Sequence, residues 1–149
     1  MKPQPAAASN SLLKLDNQLC FSVYALSRLI TKAYQPLLES LDVTYPQYLV
    51  LLLLWEHEHL SVKQLGEQLH LDSGTLTPLL KRMEQRGLLS RRRDPRDERS
   101  VLVALAPAGA VLQAKAQEIP VRVAERLHLA PPEIDALRTQ LHHLITVLL

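Results

Sequence analysis

The chain has 149 residues, enough for one domain with a substantial core and too few for two independent ones. Apolar residues make up 47% and charged residues 21%, a globular composition in which strand formers are few and the balance leans helical. A formal net charge of +2 excludes a uniformly basic chain, and a single cysteine, Cys20, excludes an internal disulfide framework and points to a reducing compartment.

The opening residues, rich in Pro, Ala, Ser and Asn, read as a flexible arm over residues 1–11, followed by a single domain over residues 12–149. The arm lacks the continuous apolar stretch of a signal peptide. The longest apolar run, Tyr48 to Trp55, is far too short to span a bilayer, so a soluble cytoplasmic protein without a membrane partner is expected. From Leu12, apolar residues recur at helical spacing through Leu15, Leu19, Val23, Leu26, Leu29 or Ile30, and Ala33. This predicts a long first helix closed by Pro36 and the turn "SLDVTYP". Thr44 is a good N-cap and Pro46 is tolerated in an opening turn, so "TYPQYLVLLLLWEHE" reads as a second helix buried on most of its circumference.

Ser61 followed by Gln64 is a capping-box signature for a short helix that buries Val62, Leu65 and Leu69. After a turn at His70 to Asp72 comes another helix, capped by Asp72 or Ser73, with Leu76, Leu79, Leu80 and Met83 inward and Gly87 as its stop. Two short helices joined by a tight turn make a helix-turn-helix. Next, "LLSRRR" and "SVLVALA" are strand-like runs around "DPRDER", an exposed hairpin tip, which makes the helix-turn-helix a winged one. Pro107 opens a helix through about Leu127, and Pro131 with Pro132 opens a last one. The predicted fold is mainly α with a small β-hairpin.

Charge concentrates where this motif lies. The segment from Lys81 to Arg99 holds eight of the 17 basic residues against four acidic ones, a local +4 that leaves −2 for the rest of the chain. A charge run by itself is usually a solvated face, but one that coincides with a capped helix-turn-helix and a hairpin is the footprint of nucleic-acid binding. Gly74, Thr75, Pro78, Lys81, Arg82 and Gln85 fall opposite the leucine face of the second helix, where a major groove would meet them. Pro78 removes one hydrogen bond from that helix. Arg91, Arg92, Arg93, Arg96 and Arg99 belong to the hairpin, where Arg91, Arg93, Arg96, Asp97 and Arg99 are expected to bind DNA. Arg96 and Arg99 near its tip suit a narrow, negative minor groove, and Asp97 is placed to orient the Arg99 guanidinium. The chain has six aromatic residues, none in the basic segment, so the stacking platforms used on single strands are missing there and duplex DNA is the expected partner.

Few other residues suggest chemistry. His57 and His59 are two apart and His142 and His143 adjacent, neither the spacing of a helical metal site, and no metal or cofactor is expected. No glycine-rich phosphate loop, nucleophile elbow or paired-carboxylate cleft is present, so no enzyme activity is predicted. A lone cysteine on an apolar helix is usually a small buried hydrophobe. If Asp16 or Asn17 caps the helix core, however, Cys20 falls in or near the first turn, where free N–H groups and the helix dipole favour a thiolate. Tyr24 stands one turn beyond it. Tyr34 is on nearly the same face but about 21 Å along the axis, so it can serve Cys20 only from another subunit.

Taken together, the order of helices and wing, with "DPRDERSV" in the hairpin, resembles the MarR family of dimeric bacterial transcriptional regulators. More narrowly, "LDNQLCFSVYALSRLITKAYQPLLESLDVTYPQYLVLLLLWE" and "LDSGTLTPLLKRMEQRGLLSR" resemble the organic hydroperoxide resistance regulators. The resemblance implies a winged helix-turn-helix over about residues 45–106, with long dimerisation helices over about 12–41 and 107–149. It implies that Cys20 is the redox sensor, assisted by Tyr24 and by Tyr34 and Tyr45 from the partner subunit. It implies that Ser73, Thr75, Thr77, Lys81 and Arg82 read DNA from the recognition helix, that Arg96 and Arg99 enter minor grooves, and that the dimer recognises a pseudo-palindromic operator. Some members carry a second, resolving cysteine on the fifth helix; "VRVAERLHL" has none here. The expected route is therefore sulfenic acid formation at Cys20 by an organic hydroperoxide, followed by capping with a low-molecular-weight thiol. Two other readings fit the same residues: a regulator of this fold that answers to a small aromatic or anionic ligand, with Cys20 structural, and a one-cysteine thiol peroxidase.

Overall fold

The computed structural model describes residues 11–149. All of the arm expected over 1–11 except Ser11 thus lies outside the described residues. The described residues form seven α-helices and a small sheet, in the order α1 (Leu19–Leu38), α2 (Tyr45–Glu56), β1 (His59–Ser61), α3 (Val62–Leu69), α4 (Ser73–Gln85), β2 (Leu89–Asp94), β3 (Asp97–Leu105), α5 (Pro107–Ala116), α6 (Ile119–Leu127) and α7 (Pro131–Leu148). Single 3-10 turns precede α1 (Leu15–Asn17) and follow it (Glu39–Leu41).

Sequence-encoded caps set the ends of the central helices. The Thr44 N–H donates to Gln47 Oε1 at 3.0 Å ahead of α2. Ahead of α3 the capping box is complete, with Ser61 N–H to Gln64 Oε1 at 2.8 Å and Gln64 N–H to Ser61 Oγ at 3.1 Å. Asp72, rather than Ser73, caps α4 by accepting the Thr75 N–H at 2.8 Å and the Thr75 hydroxyl at 3.0 Å. These bonds to the charged form hold the Asp72 carboxyl below its ordinary range. Gly87, at φ +71°, ends the same helix: its N–H donates to Glu84 and that of Leu88 to Met83.

Four features depart from the sequence expectation. The first helix begins at Leu19 and not at Leu12, because Gln18 is extended (φ −93°, ψ 110°) and the Asn17 and Gln18 side chains bond back to the carbonyls of Ser11 and Lys14, competing with the helix. Pro36 does not close this helix; α1 runs through it to Leu38, and the turn comes at Asp42, which adopts the left-handed conformation (φ 51°). The segment from Pro107 to Leu127 is two helices, since Pro120, in the opening turn of α6, has no N–H to donate to the Ala116 carbonyl at the end of α5. The hairpin is the larger part of a three-stranded antiparallel sheet in the order β1-β3-β2, with Leu60 facing Val103 across β1 and β3 and Arg91 facing Val103 across β2 and β3.

The core lies where α2, α3, α4 and the sheet meet. Val50, Leu51, Leu65, Leu76, Leu80, Met83 and Val103 are fully buried there, joined by Leu38, Leu41, Ile119 and Val123. The inward face predicted for α4 is correct at all four positions. Outside this core the helices are sparsely covered. In α1 only Leu38 is buried, and α7 has no buried residue. Leu19, Phe21, Val23, Leu26 and Leu29 on α1 and Leu144, Ile145, Val147 and Leu148 on α7 are exposed apolar side chains. Among the described residues no single helix is long and apolar enough to cross a membrane.

Candidate nucleic-acid interface and thiol site

The polar side of α4 is open. Ser73, Thr77, Lys81 and Arg82 are exposed, and Thr75 is exposed but engaged with Asp72. Ser73 is the first residue of the helix, so its neighbourhood carries free backbone N–H groups and the positive end of the helix dipole. Pro78 lies inside α4, which leaves the Gly74 carbonyl without its usual donor four residues on; both residues are exposed.

The hairpin arginines divide into two kinds. Arg91 is half-buried and clamped by Glu84 of α4: its Nε and Nη2 donate to Oε2 at 3.0 and 2.8 Å, and its backbone N–H donates to Oε1 at 3.0 Å. The guanidinium beside Glu84 holds that carboxyl below its ordinary range. Arg91 therefore braces the wing against α4. Arg93 donates to the Glu98 carbonyl at 3.2 Å across the hairpin. Arg96 and Arg99 are exposed, and among the described residues neither guanidinium has a hydrogen-bond or ion-pair partner. Asp97 departs from expectation: its carboxylate accepts the backbone N–H of Arg99 at 3.0 Å, not the guanidinium, just as Asp94 accepts that of Arg96 at 2.8 Å. These two carboxylates shape the tip backbone. The tip is tighter than the sequence suggests, since pairing extends to Asp94 opposite Asp97 and leaves only Pro95 and Arg96 between the strands.

Cys20 is exposed and is the second residue of α1, so the Asp16 or Asn17 cap is corrected to Gln18 while the thiol still lies in the first turn. Tyr24, one turn on, is exposed, with the Arg28 guanidinium 5.5 Å above its ring. Far along the helix, Tyr34 packs on Tyr45 of α2 with ring centroids 4.9 Å apart. Within one chain the structure thus gathers Tyr34 and Tyr45 and leaves Cys20 and Tyr24 at the other end of α1.

Tyr48 completes the tyrosine group, 6.0 Å from Tyr34 and 6.5 Å from Tyr45, and sequence reading missed it. The signal was its position three residues after Tyr45 on the same helical face. Burial, with the neighbouring Tyr45 and Tyr48 rings, pushes the Tyr34 phenol up to about 12. Burial raises Tyr45 and Tyr48 as well. All three therefore stay protonated hydroxyl donors at neutral pH. Arg86 was also missed. It spans from the end of α4 to the corner before α2, donating to Asp42 Oδ2 at 2.6 Å, with Gln47 Oε1 at 3.5 Å. That contact joins elements 44 residues apart, so local pattern gave no sign of it. It borders a cavity of about 1050 Å³ between α1, the start of α2 and the end of α4, lined by Arg28, Lys32, Tyr45, Arg82 and Arg86 among others.

Comparison with known proteins gives a consistent answer. The model of the MarR family matches residues 43–101. The chain is 55% identical over 136 residues to the organic hydroperoxide resistance transcriptional regulator of Bacillus subtilis (strain 168), covering 91% of this chain and 92% of that one. Among solved structures, it is similar to reduced AbfR bound to DNA, with a TM-score of 0.76, 35% identity, and 95% of this chain and 98% of that chain covered. It is similar also to the overoxidised AbfR bound to DNA, with a TM-score of 0.74, 35% identity and coverage of 95% and 99%. A further AbfR structure gives the source as Staphylococcus epidermidis.

Proposed function

This chain belongs to the MarR family, and from that premise we propose that it is a cytoplasmic, homodimeric repressor that binds duplex DNA and releases it when an organic hydroperoxide oxidises Cys20. The observation that carries the reading is the place of Cys20: an exposed thiol in the first turn of α1, amid apolar side chains that nothing in the described chain covers. A second chain on that surface would enclose the thiol and bring a partner's Tyr34 and Tyr45 towards it. The similar AbfR structures, solved reduced and overoxidised on DNA, support the coupling of oxidation state and DNA.

The chemistry needs no metal or cofactor. The Cys20 thiolate attacks the terminal peroxide oxygen, the O–O bond breaks, and the electron pair leaves with the alkoxide, which takes a proton from water to become an alcohol. The sulfur is oxidised to sulfenic acid and the peroxide reduced. With one cysteine per chain, a low-molecular-weight thiol then condenses with the sulfenic acid and releases water. The tyrosine hydroxyls donate to the thiolate before attack and to the departing oxygen during it. On DNA, two α4 helices related by the dimer axis read a pseudo-palindrome through Ser73, Thr75, Thr77, Lys81 and Arg82. Arg96 and Arg99 enter the flanking minor grooves, while Arg91, held by Glu84, keeps the wing at a set angle to α4.

The deciding experiment measures binding to a duplex selected by this protein from a random pool, before and after cumene hydroperoxide. The wild type is expected to lose affinity at least tenfold and Cys20→Ser to keep it. Equal release by the serine variant would sink the sensor reading. It would favour an effector regulator, whose small anionic ligand the basic-lined cavity between α1 and α4 would accommodate.

A further inference from the structure

The tyrosine group continues along α2. Tyr45, Tyr48 and Trp55 stand three and seven residues apart, which stacks them on one face of the helix. The Trp55 ring meets Tyr48 edge-on, with centroids 6.2 Å apart and planes at 69°. Tyr48 itself is 2% exposed, so it cannot move without displacing its neighbours. At the far end, the Trp55 indole N–H donates to the Gly109 carbonyl of α5 at 3.0 Å.

Gly109 stands against the root of the wing. A Cβ there would lie 2.0 Å from the Leu88 carbonyl oxygen, so only glycine lets α5 approach this closely. Leu88 directly precedes β2, and its carbonyl accepts the Ala106 N–H at 3.1 Å just before α5. One packed line therefore runs from Tyr34 and Tyr45 through Tyr48 and Trp55 to Gly109 and the base of the hairpin that carries Arg96 and Arg99.

We propose that Trp55 is a positioning residue that transmits the state of the tyrosine group to the wing, through its ring contact with Tyr48 and its hydrogen bond to Gly109. The proposal rests on the sensor reading above, in which Tyr34 and Tyr45 face the partner's Cys20. A shift of those two rings on oxidation displaces Tyr48, tilts the indole, and either drags or breaks the bond to Gly109. Close packing at Gly109 then turns a small movement into a change of wing angle. Trp55 acts through Tyr48 and Gly109.

Trp55 is the chain's only tryptophan, so its emission reports on this joint alone. Wild-type emission is expected to change on cumene hydroperoxide treatment, and that of Cys20→Ser to stay constant. Trp55→Phe keeps a ring and removes the N–H. It is expected to bind the selected duplex in the reduced state within threefold of wild type, yet to lose less than threefold on oxidation where the wild type loses tenfold or more. Tyr48→Leu removes the ring contact but keeps the tryptophan, and its emission is expected to be insensitive to oxidation. Trp55→Phe releasing DNA as fully as wild type overturns the inference and leaves the sensor reading intact. Reduced-state binding weakened more than tenfold also overturns it, by showing that Trp55 only supports the wing. A Trp55→Phe that does not fold transfers the decision to Tyr48→Leu, where a wild-type emission change overturns it. Wild type that keeps its DNA after oxidation defeats the sensor reading and this inference with it.

Discussion

The two ends of α1 pose opposite problems. Its C-terminal end, with Leu38, joins Leu41, Leu51, Leu80 and Met83 in a closed core whose helices are capped by their own side chains. Its N-terminal end presents Leu19, Phe21, Val23 and Leu26 to solvent, and α7 does the same with Leu144, Ile145 and Leu148. The DNA-reading half thus satisfies its apolar surface within the chain, whereas the flanking helices do not. The difference teaches that the thiol stands on the unsatisfied half, where under the proposed reading a change at one residue alters how two chains meet and not whether the closed core folds.

That contrast can be broken experimentally. Replacing Leu26 and Leu29 together by Glu puts charge on the uncovered face, and sedimentation is expected to show monomers that retain helical circular dichroism; a persistent dimer would place the interface elsewhere. Leu80→Ala, in the closed half, is expected to cost about 2–5 kcal/mol of unfolding free energy by urea titration, because Leu80 is fully buried. Leu144→Ala on α7 in a monomeric background should cost far less, and equal losses would erase the distinction. For Arg96→Ala, loss of a wing contact is expected to weaken operator binding by about 1–3 kcal/mol and lower the salt slope by about 1, with stability unchanged. Arg91→Ala tests the other kind of wing arginine: its main expected effect is on thermal stability.

The smallest effect concerns pH. The Glu84 carboxyl is lowered by Arg91, so its contribution is present above the ordinary carboxylate pKa and is lost as pH falls through the lowered value. Glu84→Gln should therefore flatten the acid side of the stability curve below about pH 5. On the alkaline side Tyr34 acts with the opposite sign. Its pKa is raised to about 12, so its stabilisation holds below the ordinary tyrosine value near 10 and is lost between the two. Tyr34→Phe should remove that alkaline decline. An unchanged profile in either variant would show that the ion pair or the ring cluster does not form in solution.

Much of the reading half was legible because its signals are local. Ser61 with Gln64, Asp72 with Thr75, and Gly87 at the stop act over three or four residues, and the leucine face of α4 repeats within one helix. Strand β1 escaped notice since its three residues pair only with Leu102, Val103 and Ala104, some forty residues away. The start of α1 was misread because Asn17 and Gln18 turn their amides back on the preceding backbone, which hydrophobic spacing does not register. The ion pair of Arg91 was not legible for a related reason: charge on a strand says nothing about whether a glutamate on a neighbouring helix holds it.

By itself, the sequence determined the helix-turn-helix with its caps, the wing and the basic segment; it put the only cysteine in a first turn only on the condition of a cap at Asp16 or Asn17, and set about 21 Å along one straight helix between Cys20 and Tyr34. These follow from spacing, propensity and charge, which act between near neighbours. Tertiary structure alone decided which arginines are free, that Tyr48 joins Tyr34 and Tyr45, that Arg86 reaches Asp42, and that Trp55 bonds to Gly109 beneath the wing. Those contacts join different elements, 44 positions apart for Arg86 and Asp42 and 54 for Trp55 and Gly109, and their geometry exists only once the closed core has set the helices at fixed distances from one another.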